Sequence, residues 1–197
     1  RPGDMNNWGG LIAAVGVSRR MGSCKALLQL QGVPVVRSLA QAFVGALAPV
    51  VVTLPEPPDD VAVRRAVDDL DVQLIHNRWP ELHMWGSIES ALAAFGEVDG
   101  WVLAPVDAPG VAPELIAALL DVAKTHRCAA LPVHGDKPGH PVALPRELLL
   151  AARPTARRHG LADFLRQHPE MVRRVPWNDD AILRNFNAPS DLTPGFV

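Results

Sequence analysis

The sequence has 197 residues, enough for one α/β domain with a substantial core. Hydrophobic residues make up 48% of the chain and charged residues 20%, a balance typical of a soluble globular protein. The formal net charge of -2 shows no general excess of basic residues, which argues against a nucleic-acid partner.

The two cysteines, Cys24 and Cys128, are too far apart in sequence to form a metal-binding motif, and they favour a reducing, cytoplasmic environment. No apolar stretch approaches the length of a membrane span, and no signal peptide is recognisable. We expect residues 1–8 to be disordered or added by cloning, and residues 9–197 to form a single domain.

A buried strand followed by a glycine-rich basic loop is predicted at the start of this domain. Residues 10–15 are an apolar run of strand length. The turn that follows is bracketed by Gly16 and Gly22, which let another group approach the backbone N–H atoms closely. Such N–H groups, together with the cations Arg20 and Lys25, can cradle phosphate oxygens. The alternative is a strand followed by a basic surface loop.

Strands and helices alternate along the rest of the chain. The apolar patterns predict strands at 50–54, 72–76, 101–106, 128–133 and 172–177, and helices at 34–47, 61–69, 88–95, 114–126 and 145–152. This order predicts a Rossmann-like three-layer α/β/α fold with a mostly parallel twisted sheet.

Asp107 directly follows the predicted strand at 101–106. A carboxylate at the C-terminal end of a parallel strand lies at the ligand-binding edge of such a sheet. One carboxylate there can hold Mg²⁺, which takes its remaining ligands from water and phosphate. The alternative is that Asp107 caps the helix that begins near Pro113.

The glycine-rich loop resembles the signature of the nucleotidyltransferases of molybdenum cofactor biosynthesis, the MobA/MocA-like family, which is written LAAG-x-S-x-R-M-G-x-x-K. The residues in register with it are Gly16, Ser18, Arg20, Met21, Gly22 and Lys25. The resemblance covers nearly the whole chain, from Leu11 to Leu192, and implies a fold like that of the nucleotide-diphospho-sugar transferases.

The resemblance implies that Arg20, Lys25 and Asp107 are catalytic. Arg20 would contact the β- and γ-phosphates, and Lys25 would lie between the α-phosphate and the acceptor phosphate. The residues implied to bind the nucleotide are Ala13, Ala14, Gly16, Ser18, Arg20, Gly22, Lys25, Asn77 and Ser87.

Two further segments resemble the parts of the family that bind base and acceptor. Asn77, Met84 and Ser87 match the family pattern N-P-x-W-x-x-G-M-x-x-S, whereas His83 stands where the family has glycine. The segment 139–142 resembles the cytidylyltransferase branch, in which it lies beside the pterin. The alternatives are a surface loop for the first segment and a hairpin turn for the second.

The largest departure from the family lies at 157–160, where Arg157 and Arg158 stand in place of a Gly-Asp pair. This basic cluster either holds a more acidic acceptor or forms a solvated helix start, and the second interpretation is favoured. The residues implied to bind the acceptor are Met84, Gly139, His140 and Arg158.

The metal site implied by the resemblance has two protein ligands. Asp107 and Pro109 match the pattern GDxP, and residues 185–192 resemble the pattern N/D-x-N/D-T-P-E-D-L. The second pattern implies that Asn187 is the other ligand of Mg²⁺ or Mn²⁺, because its amide oxygen can coordinate a hard cation. The alternative for Asn187 is an Asx turn.

The family reaction is transfer of a nucleoside monophosphate from an NTP to a phosphorylated acceptor, with release of pyrophosphate. Residues 13–16 are closer to the cytidylyl form of the motif, LAAG, than to the guanylyl form, LAGG, which implies CTP and a molybdopterin-type acceptor. Three alternatives stay open: GTP as donor, another phosphorylated acceptor, or a non-catalytic protein that binds or matures the molybdenum cofactor. We expect a cytoplasmic monomer that binds neither nucleic acid nor membrane and serves a molybdoenzyme.

Overall fold

The structure is a computed structural model that describes residues 7–14, 24–108 and 110–185. The strands in this part of the chain are β1 (Trp8–Ala13), β2 (Gln29–Leu30), β3 (Val33–Pro34), β4 (Val50–Leu54), β5 (Gln73–His76), β6 (Gly100–Pro105), β7 (Ala129–His134), β8 (Lys137–Pro138), β9 (Val142–Pro145) and β10 (Val172–Pro176). The α-helices are α1 (Val35–Val44), α2 (Asp59–Ala66), α3 (His83–Ala94), α4 (Pro113–His126), α5 (Arg146–His159) and α6 (Leu161–Gln167).

The central sheet has the strand order β10-β7-β9-β6-β1-β4-β5, with β8 paired to β7. Strand β1 is parallel to both of its neighbours, with Gly10 opposite Val50 of β4 and Val102 of β6. Strand β9 runs antiparallel between β6 and β7. The prediction of a mostly parallel sheet is therefore confirmed.

Helices cover both faces of the sheet because its central strands are apolar on both sides. Ile12, Val52 and Val102 pack in one core with residues of α1, α2 and α4. Leu11 and Leu103 point to the other face, where they pack with residues of α3, α5 and α6. This arrangement confirms the predicted three-layer architecture.

Two helices are longer than predicted. Helix α3 begins at His83 and not at residue 88, so Met84 and Ser87 lie on a helix and not in a loop. The first turn of α3 packs closely against the preceding segment, and this requires a glycine at residue 86: a Cβ atom there would collide with the carbonyl oxygen of Trp79. Helix α5 continues to His159 and not to residue 152, although Pro154 lies inside it.

Strand β1 begins at Trp8, one residue before the predicted start of the domain. None of the helices within the described ranges is long and apolar enough to cross a membrane.

Candidate active site at the strand ends

Lys25 and Asp107 form an ion pair, although they are far apart in sequence. The Lys25 ammonium donates to the Asp107 carboxylate at 2.8 Å, and the two side chains are 16% and 24% exposed. Both partners are thus partly screened from water but still reachable by a ligand. The structure brings together two of the three residues that were predicted to be catalytic.

The C-terminal ends of the central strands place this pair. The backbone N–H of Val106, directly after β6, donates to the carbonyl of Ala13 at the end of β1. The N–H of Ala14 donates to the carbonyl of Thr53 near the end of β4. Asp107 therefore stands at the edge of the sheet where such folds bind ligands, as its sequence position predicted.

Residues 15–23 lie outside the described ranges, as do Pro109 and residues 186–197. The predictions that fall on these residues are those for Gly16, Ser18, Arg20, Met21, Gly22 and Asn187. Ala13 and Ala14, on the described side of the loop, are buried at the end of β1. The described chain therefore stops at Ala14, at the end of β1, and resumes at Cys24. The next residue is Lys25, whose side chain contacts Asp107.

The segment that precedes Asn187 passes close to the same strand ends. A Cβ atom at Gly110 would collide with the carbonyl oxygen of Ala181, and one at Gly139 would collide with that of Ile182. The backbone N–H of His140 donates to the Ile182 carbonyl at 3.0 Å. This segment is therefore held between the loop after Asp107 and the loop before β9.

Asn77 and Ser87, both predicted to contact the nucleotide, make internal contacts. The Asn77 amide oxygen accepts from the backbone N–H of Trp79 at 2.9 Å and shapes the turn before α3. The Ser87 hydroxyl is fully buried and lies 3.0 Å from the hydroxyl of Thr53. In this arrangement Ser87 exposes no surface to a nucleotide and instead ties α3 to β4.

A cavity of about 650 Å³ lies between α3, α5, α6 and the strand ends. Its walls include all four residues predicted to bind the acceptor: Met84, Gly139, His140 and Arg158. Much of the surface is apolar, with Leu103, Leu131, Val142 and Leu165 among the lining side chains. Binding sites for small molecules are commonly cavities of this size, apolar with a few polar groups.

His140 links this cavity to the ion pair. Burial lowers the pKa of the His140 imidazole from its ordinary value, and the nearby negative charge of Asp107 partly opposes the effect. The Nδ1 atom of His140 is buried and has no hydrogen-bond partner among the described residues. A buried polar atom without a partner is expensive, so His140 is an unusual residue beside the cavity.

His83, at the cavity rim, has an unusual backbone. Its φ is +51°, a left-handed value that favours glycine, and glycine is the residue that the resembled family has at this position. The side chain is exposed and lines the cavity. The structure therefore gives a physical reason for the family glycine and shows that this chain departs from it at the rim of the cavity.

The basic cluster at 157–160 is not the start of a helix. It forms the C-terminal end of α5, so the prediction of a helix start is wrong, whereas the predicted exposure to solvent is confirmed for Arg157, Arg158 and His159. Arg157 donates through Nε to the carboxylate of Glu89 at 3.0 Å, and Glu89 is buried in α3. Arg158 and His159 are exposed and line the cavity.

The partner of Arg157 was missed by the sequence interpretation. Glu89 lies in the buried part of α3, whereas a charged residue of a helix is normally on the solvent side. The available signal was the pair of arginines at 153 and 157, whose spacing places both on one face of a helix.

A divalent cation is compatible with the Asp107 side chain. Among the described residues, no cluster of three or more His, Cys, Asp and Glu side chains could hold a metal by itself. Mg²⁺, however, is commonly bound by one or two protein oxygens together with water and substrate phosphates. The Lys25 ammonium at 2.8 Å shows that the carboxylate already accepts a cationic group at this position.

Comparison with known families agrees with this site. The family model of the MobA-like NTP transferase domain matches residues 10–172. The chain belongs to this family. The match includes the Lys25–Asp107 pair and most of the cavity, and it makes the protein a member of a nucleotidyltransferase family. No curated protein matches the sequence significantly.

Solved structures with the same fold cover nearly the whole chain. A homologue of Mycobacterium tuberculosis Rv0371c from Mycobacterium sp. strain JC1 is 25% identical with a TM-score of 0.75, covering 94% of this chain and 93% of its own. Molybdopterin-guanine dinucleotide biosynthesis protein A from Archaeoglobus fulgidus is 21% identical with a TM-score of 0.67, covering 93% and 94%. Rv0371c from M. tuberculosis H37Rv in complex with manganese is 24% identical with a TM-score of 0.63, covering 86% and 88%.

Proposed function

We propose that this MobA-like protein transfers CMP from CTP to a molybdopterin-type phosphate acceptor and releases pyrophosphate. The observation that carries the proposal is the Lys25–Asp107 pair beside a largely apolar cavity. A phosphate group near the pair and a ring system in the cavity would place the reacting atoms at the strand ends.

The reaction requires little covalent chemistry from the protein. An ionised oxygen of the acceptor phosphate attacks the α-phosphorus of CTP, and the bond from that phosphorus to the bridging oxygen of the β-phosphate breaks. Pyrophosphate leaves with the bonding electrons, so no proton has to be removed from the nucleophile. Orientation and positive charge then supply most of the rate enhancement.

Lys25 is the described cation best placed for this task. Its ammonium contacts the Asp107 carboxylate at 2.8 Å. We propose that the Lys25 ammonium leaves Asp107 and contacts the α-phosphate and the acceptor phosphate when substrates bind. Arg20 then contacts the β- and γ-phosphates. The backbone N–H groups of the loop from Gly16 to Gly22 would hold the triphosphate tail.

Asp107 and Asn187 are the proposed ligands of Mg²⁺ or Mn²⁺. A bound divalent ion would neutralise charge on the triphosphate. The described chain ends at Asn185 after passing Gly110 and Gly139, which supports a place for Asn187 near Asp107. The manganese complex of Rv0371c is consistent with a divalent metal in proteins of this fold.

The cavity favours a ring system over a sugar phosphate as the body of the acceptor. A sugar presents several hydroxyls, each of which needs a hydrogen-bond partner when it is buried. Leu103, Leu131 and Val142 offer no such partner, whereas they can pack against a flat ring. Polar atoms on that ring could bind the polar side chains that also line the cavity, such as Arg158 and His159.

Thermal unfolding with each of CTP, GTP, ATP and UTP, with and without Mg²⁺, tests the donor. A ligand at a hundredfold excess over its Kd stabilises the native state by about 2.7 kcal/mol. For a domain of this size that corresponds to a rise in Tm of roughly 5–10 °C. We expect this rise with CTP and Mg²⁺. A rise with GTP alone would identify a guanylyl donor, and no rise with any nucleotide would favour the non-catalytic alternative.

A further inference from the structure

A buried carboxylate joins α3 to the C-terminal half of α5. The Glu89 side chain is only 4% exposed, and its Oε1 atom accepts hydrogen bonds from the Trp85 indole at 3.1 Å and from Nε of Arg157 at 3.0 Å. Nε of Arg153 lies 3.1 Å from the same oxygen. The negative charge of Glu89 is thus shared by two arginines of α5.

The two arginines flank a weak point in their helix. Pro154 lies between them, has no backbone N–H, and cannot donate the helical hydrogen bond to residue 150. A proline in the interior of a helix normally kinks or ends it. Glu89 binds one arginine before the proline and one after it, so its carboxylate spans the interruption.

The part of α5 after Pro154 forms a wall of the large cavity. Residues 156–160 line it, and so does Trp85, whose indole is held by Glu89. Arg157 is held toward α3, and Arg158 follows it on the helix with no ion pair to any other described residue. The contact at Glu89 therefore fixes two facing walls of the cavity, one on α3 and one on α5.

We propose that Glu89 is a positioning residue for the acceptor: its carboxylate ties the end of α5 to α3 across Pro154 and so sets the walls of the cavity. The identity of the acceptor rests on the proposed function, but the contact itself does not. Trp85 and Arg157 line the cavity whereas Glu89 does not, so Glu89 acts through these two side chains.

The variant Glu89→Gln tests this role, because glutamine keeps the shape and one oxygen acceptor but removes the charge. Glu147→Gln is the matched control: it removes an exposed ion pair with Arg127 at the other end of the same helix. Hydrogen exchange is measured on the full chain without substrates. We expect faster exchange in residues 155–167 of Glu89→Gln, unchanged exchange in residues 146–152, and no difference in the control.

Steady-state kinetics separates positioning from general destabilisation. With molybdopterin as acceptor, we expect the KM for molybdopterin to rise about tenfold, corresponding to about 1.4 kcal/mol, while the KM for CTP stays within about twofold. Arg153→Gln, at a residue outside the cavity wall, should raise the same KM in the same direction. Equal changes in both KM values would indicate a general structural defect and would overturn the proposal.

Failure of this proposal is distinguishable from failure of the proposed function. If the unchanged protein transfers no nucleotide to molybdopterin, the proposed function is wrong, and hydrogen exchange alone decides whether Glu89 holds the wall. Unchanged exchange after Pro154 in Glu89→Gln refutes the proposal whatever the acceptor is. Altered exchange with an unchanged KM for molybdopterin refutes a role in acceptor positioning.

Discussion

Replacement of Asp107 by asparagine separates the two tasks that we assign to this residue. The amide keeps the shape of the side chain and can still accept from the Lys25 ammonium, now 2.8 Å from the carboxylate. Exposed ion pairs contribute about 0–1 kcal/mol, and loss of one partner of a fully buried pair costs about 3–5 kcal/mol. With side-chain exposures of 24% and 16%, this pair lies between those limits.

We therefore expect Asp107→Asn to destabilise the protein by about 2 kcal/mol and to lower Tm by roughly 4–8 °C. The fold should persist, because the cores on both sides of the sheet do not include this side chain. Turnover should fall much further, by about a hundredfold to a thousandfold, the loss typical when one group that stabilises the transition state is removed. The stabilisation by CTP should also lose its dependence on Mg²⁺.

Asp69→Asn is the matched control for this experiment. Asp69 accepts two hydrogen bonds from the Arg37 guanidinium on the protein surface, far along the chain from the candidate site. Its loss should leave turnover and the Mg²⁺ dependence unchanged. Lys25→Ala and Asp107→Ala should each abolish turnover and leave the fold intact. Near-normal turnover in Asp107→Asn, or CTP binding that still depends on Mg²⁺, would refute the assigned role.

Three further variants test the cavity. Burial lowers the pKa of His140, so the unfolded chain takes up a proton near pH 6.5 that the folded protein does not. The free energy of unfolding should therefore decrease as the pH drops from 7 toward 5. Chemical denaturation should show a smaller decrease for His140→Asn. His83→Gly should relieve the strain of a φ of +51° and raise Tm by about 2–4 °C, and a lower Tm would contradict the strain argument. Gly139→Ala would place a Cβ atom against the Ile182 carbonyl and should lower the free energy of unfolding by about 1–3 kcal/mol, measured by chemical denaturation. Gly96→Ala is the control: it has open space around it and should leave the free energy of unfolding nearly unchanged.

Strand positions were predictable because they depend on local composition. The run Val50–Leu54 is β-branched and apolar, and it forms a strand with those same bounds. Asp107 was predictable for a related reason, since its position after a buried strand places it at the ligand-binding edge. The role of Lys25 was implied by the resemblance of the glycine-rich loop to the family signature.

Helix ends were less predictable because distant contacts decide them. The local sequence favours an end of α5 near Pro154, since a proline usually ends a helix. The continuation accompanies the contacts of Arg153 and Arg157 with Glu89, which is 68 residues before Arg157 in the chain. The sequence pattern showed two basic residues at the end of this segment, but not which of them has an internal partner.

The proposed transfer reaction is tested by the formation of its product. The full chain is incubated with molybdopterin, Mg²⁺ and either CTP or GTP, and products are identified by mass spectrometry while pyrophosphate is quantified. We predict a product whose mass equals the acceptor plus CMP, one pyrophosphate for each product, and formation of both at least about a hundredfold slower with Asp107→Asn. No product and no pyrophosphate with either nucleotide, or equal rates with Asp107→Asn, would refute the proposed nucleotide transfer.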